Sequence, residues 1–282
     1  MQQFVRHFII PLARKRGWKS FCEIGASTGL STDELLKLPI TSYTIIDPCF
    51  DADLSLKYAG DARVTVQKSN SLDALPNLAG TYDCILIDGD HNWYTVINEL
   101  RLIQQRGLLR PGGMIFFHDV EWPYGRRDLY YQPDTIPTEY RQEYEHKGIV
   151  RGRSQLADHG GAARHLCNAV REGGSRNGVL TAVEDFVAEH ASEYNFCRVR
   201  LQFGLGILQY RRKRLSEDLS FFLLRIKAGM YSLYGPLHRL KKLTLKEFPR
   251  DLEYPLRWTA AGRKISSSAS RKSGTPRLQT SP

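Results

Sequence analysis

The segment from Phe21 to Ser31, which reads Phe-Cys-Glu-Ile-Gly-Ala-Ser-Thr-Gly-Leu-Ser, constrains the fold of this chain most strongly. An apolar run ends at Glu23, the chain turns at Gly25 and Gly29, and a helical pattern follows. Glycine lets backbone N–H groups approach a ligand closely, and the helix N-terminus behind them favours negative charge. The segment therefore predicts a strand, loop and helix that bind an anionic or strongly polar ligand, the alternative being a tight packing turn.

A second short strand ends in an acidic residue whose spacing from the first glycine is typical of ribose binding. Ser42–Ile46 is rich in β-branched residues and ends at Asp47, which is 22 positions beyond Gly25. An acid about 20 residues after the first glycine is where a ribose diol is held. The spacing Glu-x-Gly-x-x-x-Gly differs from the dinucleotide fingerprint, which disfavours NAD. The pair predicts a nucleoside cofactor, unless Asp47 only opens the turn at Pro48.

Strand and helix patterns alternate along the rest of the first 210 residues, which predicts a doubly wound, mostly parallel α/β sheet. In such sheets ligands bind beyond the carboxyl ends of the strands. Polar residues end four of the predicted strands: Glu23, Asp47, Asp88 and the pair His118-Asp119. After the strands that begin near Phe21 and Ser42, we predict strands at Arg63–Gln67, Tyr82–Asp88, Met114–Phe117, Phe196–Leu201 and Leu205–Tyr210, with helices at Trp93–Gln105 and Gly178–Glu193.

The order of these elements resembles the class I S-adenosylmethionine-dependent methyltransferases, over roughly residues 15 to 210. The resemblance implies a seven-stranded Rossmann-like sheet with an antiparallel closing strand, and S-adenosylmethionine as the cofactor. It also implies that Asp47 holds the ribose, and that Asn70 or Ser71 bonds to the adenine. The cofactor-binding residues implied are Glu23, Gly25, Ser27, Gly29, Asp47, Asn70, Ser71 and Asp88.

A second cluster, Asp88-Gly-Asp-His91 with His118-Asp119, suggests hydroxyl chemistry. Carboxylates with an imidazole suit a divalent cation such as Mg²⁺, which lowers the pKa of a bound hydroxyl, and a histidine can take the proton. The alternatives are that Asp88 opens a plain turn and that His118 has no chemical role.

The cluster resembles that of a subfamily of small-molecule O-methyltransferases, which includes macrocin-type sugar methyltransferases and cephalosporin-hydroxylase-like proteins. The resemblance implies that Asp88 and Asp119 bind Mg²⁺ and that His91 is the general base. The chain departs from the pattern at His118, where the subfamily has a carboxylate. This histidine is therefore open to three interpretations: a softer metal ligand, a second base, or a substrate contact.

Residues 121–178 form a long connection without sustained periodicity, which predicts a lid over the acceptor. Its first part is rich in aromatic and basic residues, which suit a sugar ring, although ordinary surface packing is the alternative. The residues expected to contact substrate are Trp122, Tyr124, Arg126 and Tyr130, with Arg127 and Tyr131 beside them.

The positive charge of the chain is concentrated at its C-terminal end. From Arg211 onward there are 17 basic and 5 acidic residues, which leaves 23 basic and 25 acidic residues before it. We therefore expect a methyltransferase domain at 1–210, a basic amphipathic helical extension at 211–258 and a disordered tail at 259–282. The apolar positions of the extension are Leu215, Leu219, Phe222, Ile226 and Leu233.

Five scattered cysteines, with neither a signal peptide nor a membrane span, predict a reduced, cytoplasmic protein. The predicted function is O-methylation of a hydroxyl on a sugar, glycan or secondary metabolite. Two alternatives use the basic extension: an RNA methyltransferase, which the sequence favours less, and a protein peripheral at an anionic membrane, acting on a lipid-linked glycan. An NAD-dependent oxidoreductase is the remaining rival, and homo-oligomerisation stays open.

Overall fold

The computed structural model describes residues 1–212 and 220–233. Both ranges belong to one compact unit, Met1–Pro249. Leu215 and Leu219 of the expected amphipathic helix lie outside the described residues, as do most of the 211–258 extension and the whole 259–282 tail.

Ten strands are present among the described residues, and they form two sheets. They are β1 (Ser20–Ile24), β2 (Ser42–Ile46), β3 (Val64–Gln67), β4 (Tyr82–Ile87), β5 (Leu109–His118), β6 (Leu129–Tyr130), β7 (Tyr144–Glu145), β8 (Cys167–Ala169), β9 (Tyr194–Val199) and β10 (Leu205–Tyr210).

The larger sheet has seven strands in the order β3-β2-β1-β4-β5-β10-β9. Strands β1 to β5 run parallel, whereas β10 is antiparallel to both β5 and β9. The order reverses direction between β1 and β4, and this switch point is where a ligand crevice opens in α/β sheets. The predicted mixed seven-stranded sheet with an antiparallel closing strand is therefore confirmed.

Helices cover both faces of this sheet. The N-terminal helix α1 consists of three contiguous segments, Gln2–Phe4, Val5–Ile9 and Ile10–Arg16. The other α-helices among the described residues are α2 (Leu30–Leu35), α3 (Leu54–Lys57), α4 (Ser71–Ala74), α5 (Trp93–Gln105), α6 (Val179–Glu189) and a helix at 220–233.

Each sheet face has its own apolar core because alternate strand residues point to opposite sides. Phe21 and Phe116 pack with α1, α2 and the helix at 220–233 on one face. Ile85 and Phe117 pack with α4, α5 and α6 on the other. Strand β4 contributes to both cores, which explains its almost continuous apolar run.

Strand β5 is longer than the sequence pattern predicted. It begins at Leu109, five residues before Met114, and includes a Pro-Gly-Gly segment. Tyr82 pairs with Leu109 while Cys84 pairs with Met114, so β5 carries a bulge in this stretch. Gly112 has φ +85°, which is a backbone conformation that favours glycine. The bulge reads as a turn in the sequence because the apolar alternation resumes only after it.

Residues 121–178, the expected lid, have a smaller sheet in the order β6-β8-β7. Arg127 of the lid is fully buried, and its guanidinium donates to the carbonyl oxygens of Ala169 and Ser154. These bonds tie distant parts of the lid together. The lid is held by buried polar groups and short strands, which have no periodic sequence pattern.

Asp128 joins the lid to the main domain. Its Oδ1 accepts hydrogen bonds from the backbone N–H groups of Trp93, 2.8 Å away, and Gly178, 2.6 Å away. Its Oδ2 accepts a third bond, from the Tyr130 hydroxyl at 2.7 Å. One buried carboxylate therefore binds the N-terminal ends of both α5 and α6, where a negative charge is favourable.

The helix at 220–233 has two apolar faces. Phe221, Leu224 and Ala228 are buried in the core beside α1. Phe222, Ile226 and Leu233, which the sequence pattern predicted to share one apolar face, are 56%, 45% and 71% exposed. Among the described residues, no helix is long and apolar enough to cross a membrane.

We predict that replacing Glu99 with glutamine changes how stability depends on pH. Glu99 lies in α5 with its carboxyl group buried, and burial raises its pKa to about 8. The folded protein therefore keeps the proton between about pH 4.5 and pH 8, while the unfolded chain loses it, so wild-type stability falls as pH rises. Glu99→Gln should remove this loss and exceed wild type by about 2–4 kcal/mol at pH 8.

The measurement is urea unfolding at pH 5 and pH 8, with Glu139→Gln, an exposed lid substitution, as the control. A difference between Glu99→Gln and wild type that is the same at both pH values would contradict the prediction.

Candidate active site

The glycine loop after β1 approaches the loop after β4 so closely that no side chain fits between them. A Cβ atom on Gly25 would overlap the Cα atom of Gly89 and lie 2.5 Å from the carbonyl oxygen of Asp88. Gly25 and Gly29 have φ values of +81° and +78°. The conformation and the contact both require glycine at Gly25. The predicted cofactor loop therefore lies directly against the predicted catalytic loop.

Asp47 is fixed at the end of β2 by this same loop. Its Oδ2 accepts a hydrogen bond of 2.8 Å from the N–H of Ser27, and its Oδ1 accepts one of 2.6 Å from the N–H of Cys49. A carboxylate has about four acceptor positions, so two bonds leave capacity for two more. Asp47 is thus oriented by the protein and still able to hold a diol.

Glu23 lies beneath the loop and is 2% exposed. Its Oε2 accepts hydrogen bonds of 2.5 Å from the Thr32 hydroxyl and 2.7 Å from the Tyr43 hydroxyl. Burial raises the pKa of Glu23 to about 7, although these two donors oppose the shift. No sequence pattern identifies Thr32 or Tyr43 as partners of Glu23, because these contacts depend on how α2 and β2 pack against β1.

Asn70 and Ser71 lie where β3 ends. Asn70 is exposed and precedes α4 in an extended conformation, without capping the helix through its side chain. Ser71 is the first residue of α4 and is buried. Both positions border the same end of the sheet as Asp47, and both stay open as the predicted adenine contact.

The ends of β4 and β5 bring two acids and two histidines together. One ligand atom from each of Asp88, His91, His118 and Asp119 lies within 4.8 Å of the others. His118 Nδ1 is 3.0 Å from Asp88 Oδ1 and 2.9 Å from Asp119 Oδ2. His91 Nε2 is 2.8 Å from Asp119 Oδ2 and 3.7 Å from Asp88 Oδ1. This proximity was predicted from the sequence, because all four residues end or follow strands whose carboxyl ends lie at the same edge of the sheet.

The four groups control each other's charge. Burial alone would lower the pKa of His91, but the carboxylates of Asp119 and Asp88 raise it to about 10. Burial likewise opposes protonation of His118, yet the same acids raise its pKa to about 9. Burial favours the neutral acids, but the imidazoles hold the pKa of Asp88 and of Asp119 well below the usual range. At neutral pH both histidines are therefore protonated and both acids ionised.

The cluster also fits a divalent cation. Asp119 Oδ1 and His91 Nε2 are buried and make no well-aligned hydrogen bond to any described residue. Asp119 has φ +58°, an uncommon backbone conformation for a residue other than glycine and one found at functional sites. Two carboxylates supply the hard oxygen atoms that Mg²⁺ requires, and His118 is a softer third donor. Asp88 and Asp119 would hold such an ion.

The lid packs aromatic rings around His91. The Tyr124 ring lies 5.6 Å from the imidazole and the Tyr131 ring 6.0 Å, and the Tyr131 hydroxyl is 3.4 Å from His91 Nδ1. The N–H of Leu129 donates to the carbonyl oxygen of His91 at 3.0 Å. The lid therefore orients the candidate base through its backbone and its ring.

The other lid residues expected at the substrate make contacts within the lid or with α6. Arg126 donates to Thr181 and Glu184 of α6. Tyr130 is buried with its hydroxyl on Asp128. Trp122 packs in the lid, with the Arg151 guanidinium 4.6 Å from its ring. A sugar wall built from these residues stays a prediction, because no local sequence pattern shows which side of an irregular loop faces the site.

Comparison with known proteins supports one family for part of the chain. Residues 22–120 match a family model described as "Methyltransferase domain". No curated protein matches the chain.

Solved structures with a similar fold include three methyltransferase-related proteins. The S-adenosylhomocysteine-bound Podospora anserina methyltransferase PaMTH1 is 19% identical, with 72% of this chain and 76% of that chain covered and a TM-score of 0.46. The O-methyltransferase TomG from Streptomyces achromogenes, in complex with S-adenosylmethionine, is 18% identical, with coverages of 71% and 77% and a TM-score of 0.44. Cofactor-bound Rv0187 from MTB is 18% identical, with coverages of 75% and 81% and a TM-score of 0.46.

Neutralising the charge of Asp119 should lower the pKa of both histidines. Because its Oδ2 lies within 3 Å of a nitrogen of each imidazole, we expect Asp119→Asn to lower the pKa of His91 and His118 by at least about one unit. Saturating Mg²⁺ should do the same in the wild type. The measurement is an NMR titration of the imidazole resonances.

Asp134→Asn, at a side chain that is 99% exposed, is the control. Histidine pKa values that stay unchanged in Asp119→Asn would contradict the geometry. Values unchanged by Mg²⁺ would remove Asp88 and Asp119 from the metal assignment.

Proposed function

Since residues 22–120 match a methyltransferase family model, we propose that this chain is an S-adenosylmethionine-dependent methyltransferase that methylates a hydroxyl oxygen on a sugar, glycan or secondary metabolite. The observation that carries the proposal is the contact of Gly25 with Gly89 and Asp88. It places the cofactor loop directly beside a cluster of two acids and two imidazoles, which is chemistry suited to activating a hydroxyl.

The cofactor is held by groups at the carboxyl ends of β1, β2 and β3. When bound, S-adenosylmethionine supplies an electrophilic methyl group. Asp47 accepts hydrogen bonds from the ribose diol, because Ser27 and Cys49 fix its carboxylate and leave acceptor positions open. The backbone of Gly25, Ser27 and Gly29 lines the crevice, and Asn70 or Ser71 bonds to the adenine.

His91 takes the proton of the acceptor hydroxyl. A base must be neutral before it can act, and the neighbouring carboxylates hold the pKa of His91 at about 10 in the free protein. Any positive charge that binds Asp88 and Asp119 offsets this effect and brings the pKa of His91 toward neutrality. The protonation of His91 is therefore coupled to cation binding at Asp88 and Asp119.

Asp88 and Asp119 would hold a divalent cation such as Mg²⁺, with His118 beside them. Bound there, the ion would polarise the acceptor hydroxyl and lower its pKa. His118 Nδ1 contacts both acids at 3.0 and 2.9 Å, so a protonated His118 and a cation would compete for the same oxygens. Neutral His118 would be compatible with the bound ion and could serve as a ligand.

The acceptor lies between the cluster and the lid. Tyr124 and Tyr131 flank His91 and present ring faces and hydroxyl groups, the combination that binds a hydroxylated ring through stacking and hydrogen bonds. Nothing among the described residues favours RNA as the acceptor, since most of the basic extension on which that alternative rests lies outside them.

Removing the side chain of Asp47 should weaken binding of S-adenosylmethionine by at least about tenfold, because charge-assisted hydrogen bonds to the ribose are lost. Isothermal titration calorimetry measures the affinity of Asp47→Ala and of Asp73→Asn, an exposed control in α4. Equal affinity of Asp47→Ala and wild type would contradict the ribose assignment. Binding of NAD in place of S-adenosylmethionine would refute the function itself.

His91→Gln should lower kcat by about a hundredfold or more, the usual contribution of a general base, while the cofactor affinity stays within a few-fold of wild type. The substrate for this test comes from a screen of hydroxylated sugars, lipid-linked sugars and metabolites at saturating cofactor. His7→Gln, an exposed substitution in α1, is the control.

An active His91→Gln enzyme would refute the role of His91 as base. A screen in which only nitrogen acceptors are methylated would refute the hydroxyl assignment.

A further inference from the structure

The outer surface of the helix at 220–233 is unusually apolar. Phe222, Leu223, Ile226, Met230 and Leu233 are each between 45% and 71% exposed. At 3.6 residues per turn they fall within an arc of about 100° on one side of the helix. We call these five residues the apolar arc. A contiguous bulky surface of this kind marks an interaction site.

The opposite side of the same helix is already occupied. Phe221, Leu224 and Ala228 are buried in the core. Tyr231 stacks edge-on against Phe8 of α1, with ring centroids 4.7 Å apart. The Ser232 hydroxyl accepts a hydrogen bond of 2.8 Å from the N–H of Arg200. The domain therefore fixes the orientation of the helix, and the apolar arc faces outward as part of a rigid surface.

Cations border the apolar arc on both sides. By the helical period, Arg225 lies beyond one edge and Lys227 beyond the other, and both are exposed. The Lys227 ammonium lies 5.3 Å from the ring centre of Phe8, so that side chain runs along the protein surface next to the arc. Bulky apolar residues with cations at their borders are typical of helices that lie in the headgroup layer of a membrane.

The charge of the following sequence selects the partner. Residues 234–282 contain 11 Lys and Arg against 3 Asp and Glu. A second copy of this chain would bring two such segments together, and like charges disfavour that contact. A nucleic acid would use the cations but leave the apolar arc in water. An anionic lipid surface satisfies both features, because its headgroups attract the cations and its acyl boundary accepts the apolar side chains.

We propose that the apolar arc of the helix at 220–233, with Arg225 and Lys227 at its borders, docks this domain on an anionic membrane surface. The docking is peripheral. The inner side of this helix is linked to the candidate active site by a series of ring contacts, from Tyr231 to Phe8, from Phe8 to Phe4, and from Phe4 to His118. The proposal does not depend on the identity of the methyl acceptor.

The test is flotation of the full chain with vesicles of phosphatidylcholine and phosphatidylserine, compared with phosphatidylcholine alone. The wild type should float with the anionic vesicles only. The triple variant Phe222→Ser, Ile226→Ser and Met230→Ser should bind at least about tenfold more weakly, since three apolar side chains no longer enter the lipid. Arg225→Gln with Lys227→Gln should weaken binding by about fivefold for each cation.

Leu56→Ser is the control, because Leu56 is an exposed apolar residue of α3, outside the arc. This substitution should leave flotation unchanged. Circular dichroism and binding of S-adenosylmethionine check that every variant is folded. As a second measurement on a chain with an intact arc, Leu223→Trp should show blue-shifted fluorescence when anionic vesicles are added, whereas Leu56→Trp should not.

Three results would overturn the proposal. The wild type does not float with anionic vesicles, or the triple variant floats as well as the wild type, which would assign binding to the charged residues alone. The third is a concentration-dependent dimer in light scattering that the triple variant abolishes without any vesicle binding, which would make the arc a contact between copies.

Discussion

The close backbone contact between Gly25 and Gly89 is the constraint on which the site depends. Strands β1 and β4 are neighbours at the point where the strand order reverses, so their following loops leave the sheet side by side. Because neither loop has a side chain at the contact, the two backbones touch, and Asp88 follows β4 directly. Asp47 is drawn to the same place by the N–H of Ser27. The proposed cofactor loop and the cluster of acids and histidines therefore lie side by side at one end of the sheet.

Electrostatic balance is the second organising feature. Two ionised acids and two protonated histidines attract each other, and this attraction opposes the desolvation that acts on all four groups. The same balance keeps His91 protonated until another positive charge binds the acids. In the function proposed above, His91 would act as a base only after another positive charge binds the acids, so no neutral imidazole would stand beside the sulfonium before then.

Much of this site could be predicted from the sequence because parallel strands end at a common edge. Glu23, Asp47, Asp88, His91, His118 and Asp119 follow strands with clear apolar patterns, and their positions in the structure agree with that expectation. The lid could not be predicted in the same way. Its side chains are positioned by buried hydrogen bonds, such as those of Arg127 and Asp128, between residues far apart in the chain. The bulge of β5 was missed because its glycines interrupt the alternation that identifies a strand.

The buried carboxylate of Asp128 has a consequence for how small molecules exchange with the crevice. It accepts three hydrogen bonds, and those from Trp93 and Gly178 come from the first turns of two helices. A swing of residues 121–178 as one flap would carry Tyr130 and Gly178 along with Asp128, but it would break the hydrogen bond from the N–H of Trp93 at the start of α5, at a cost of about 1.5–3 kcal/mol. Local rearrangement of side chains and short turns would leave that bond intact. Small molecules would then enter and leave the crevice past a lid that stays bonded to α5.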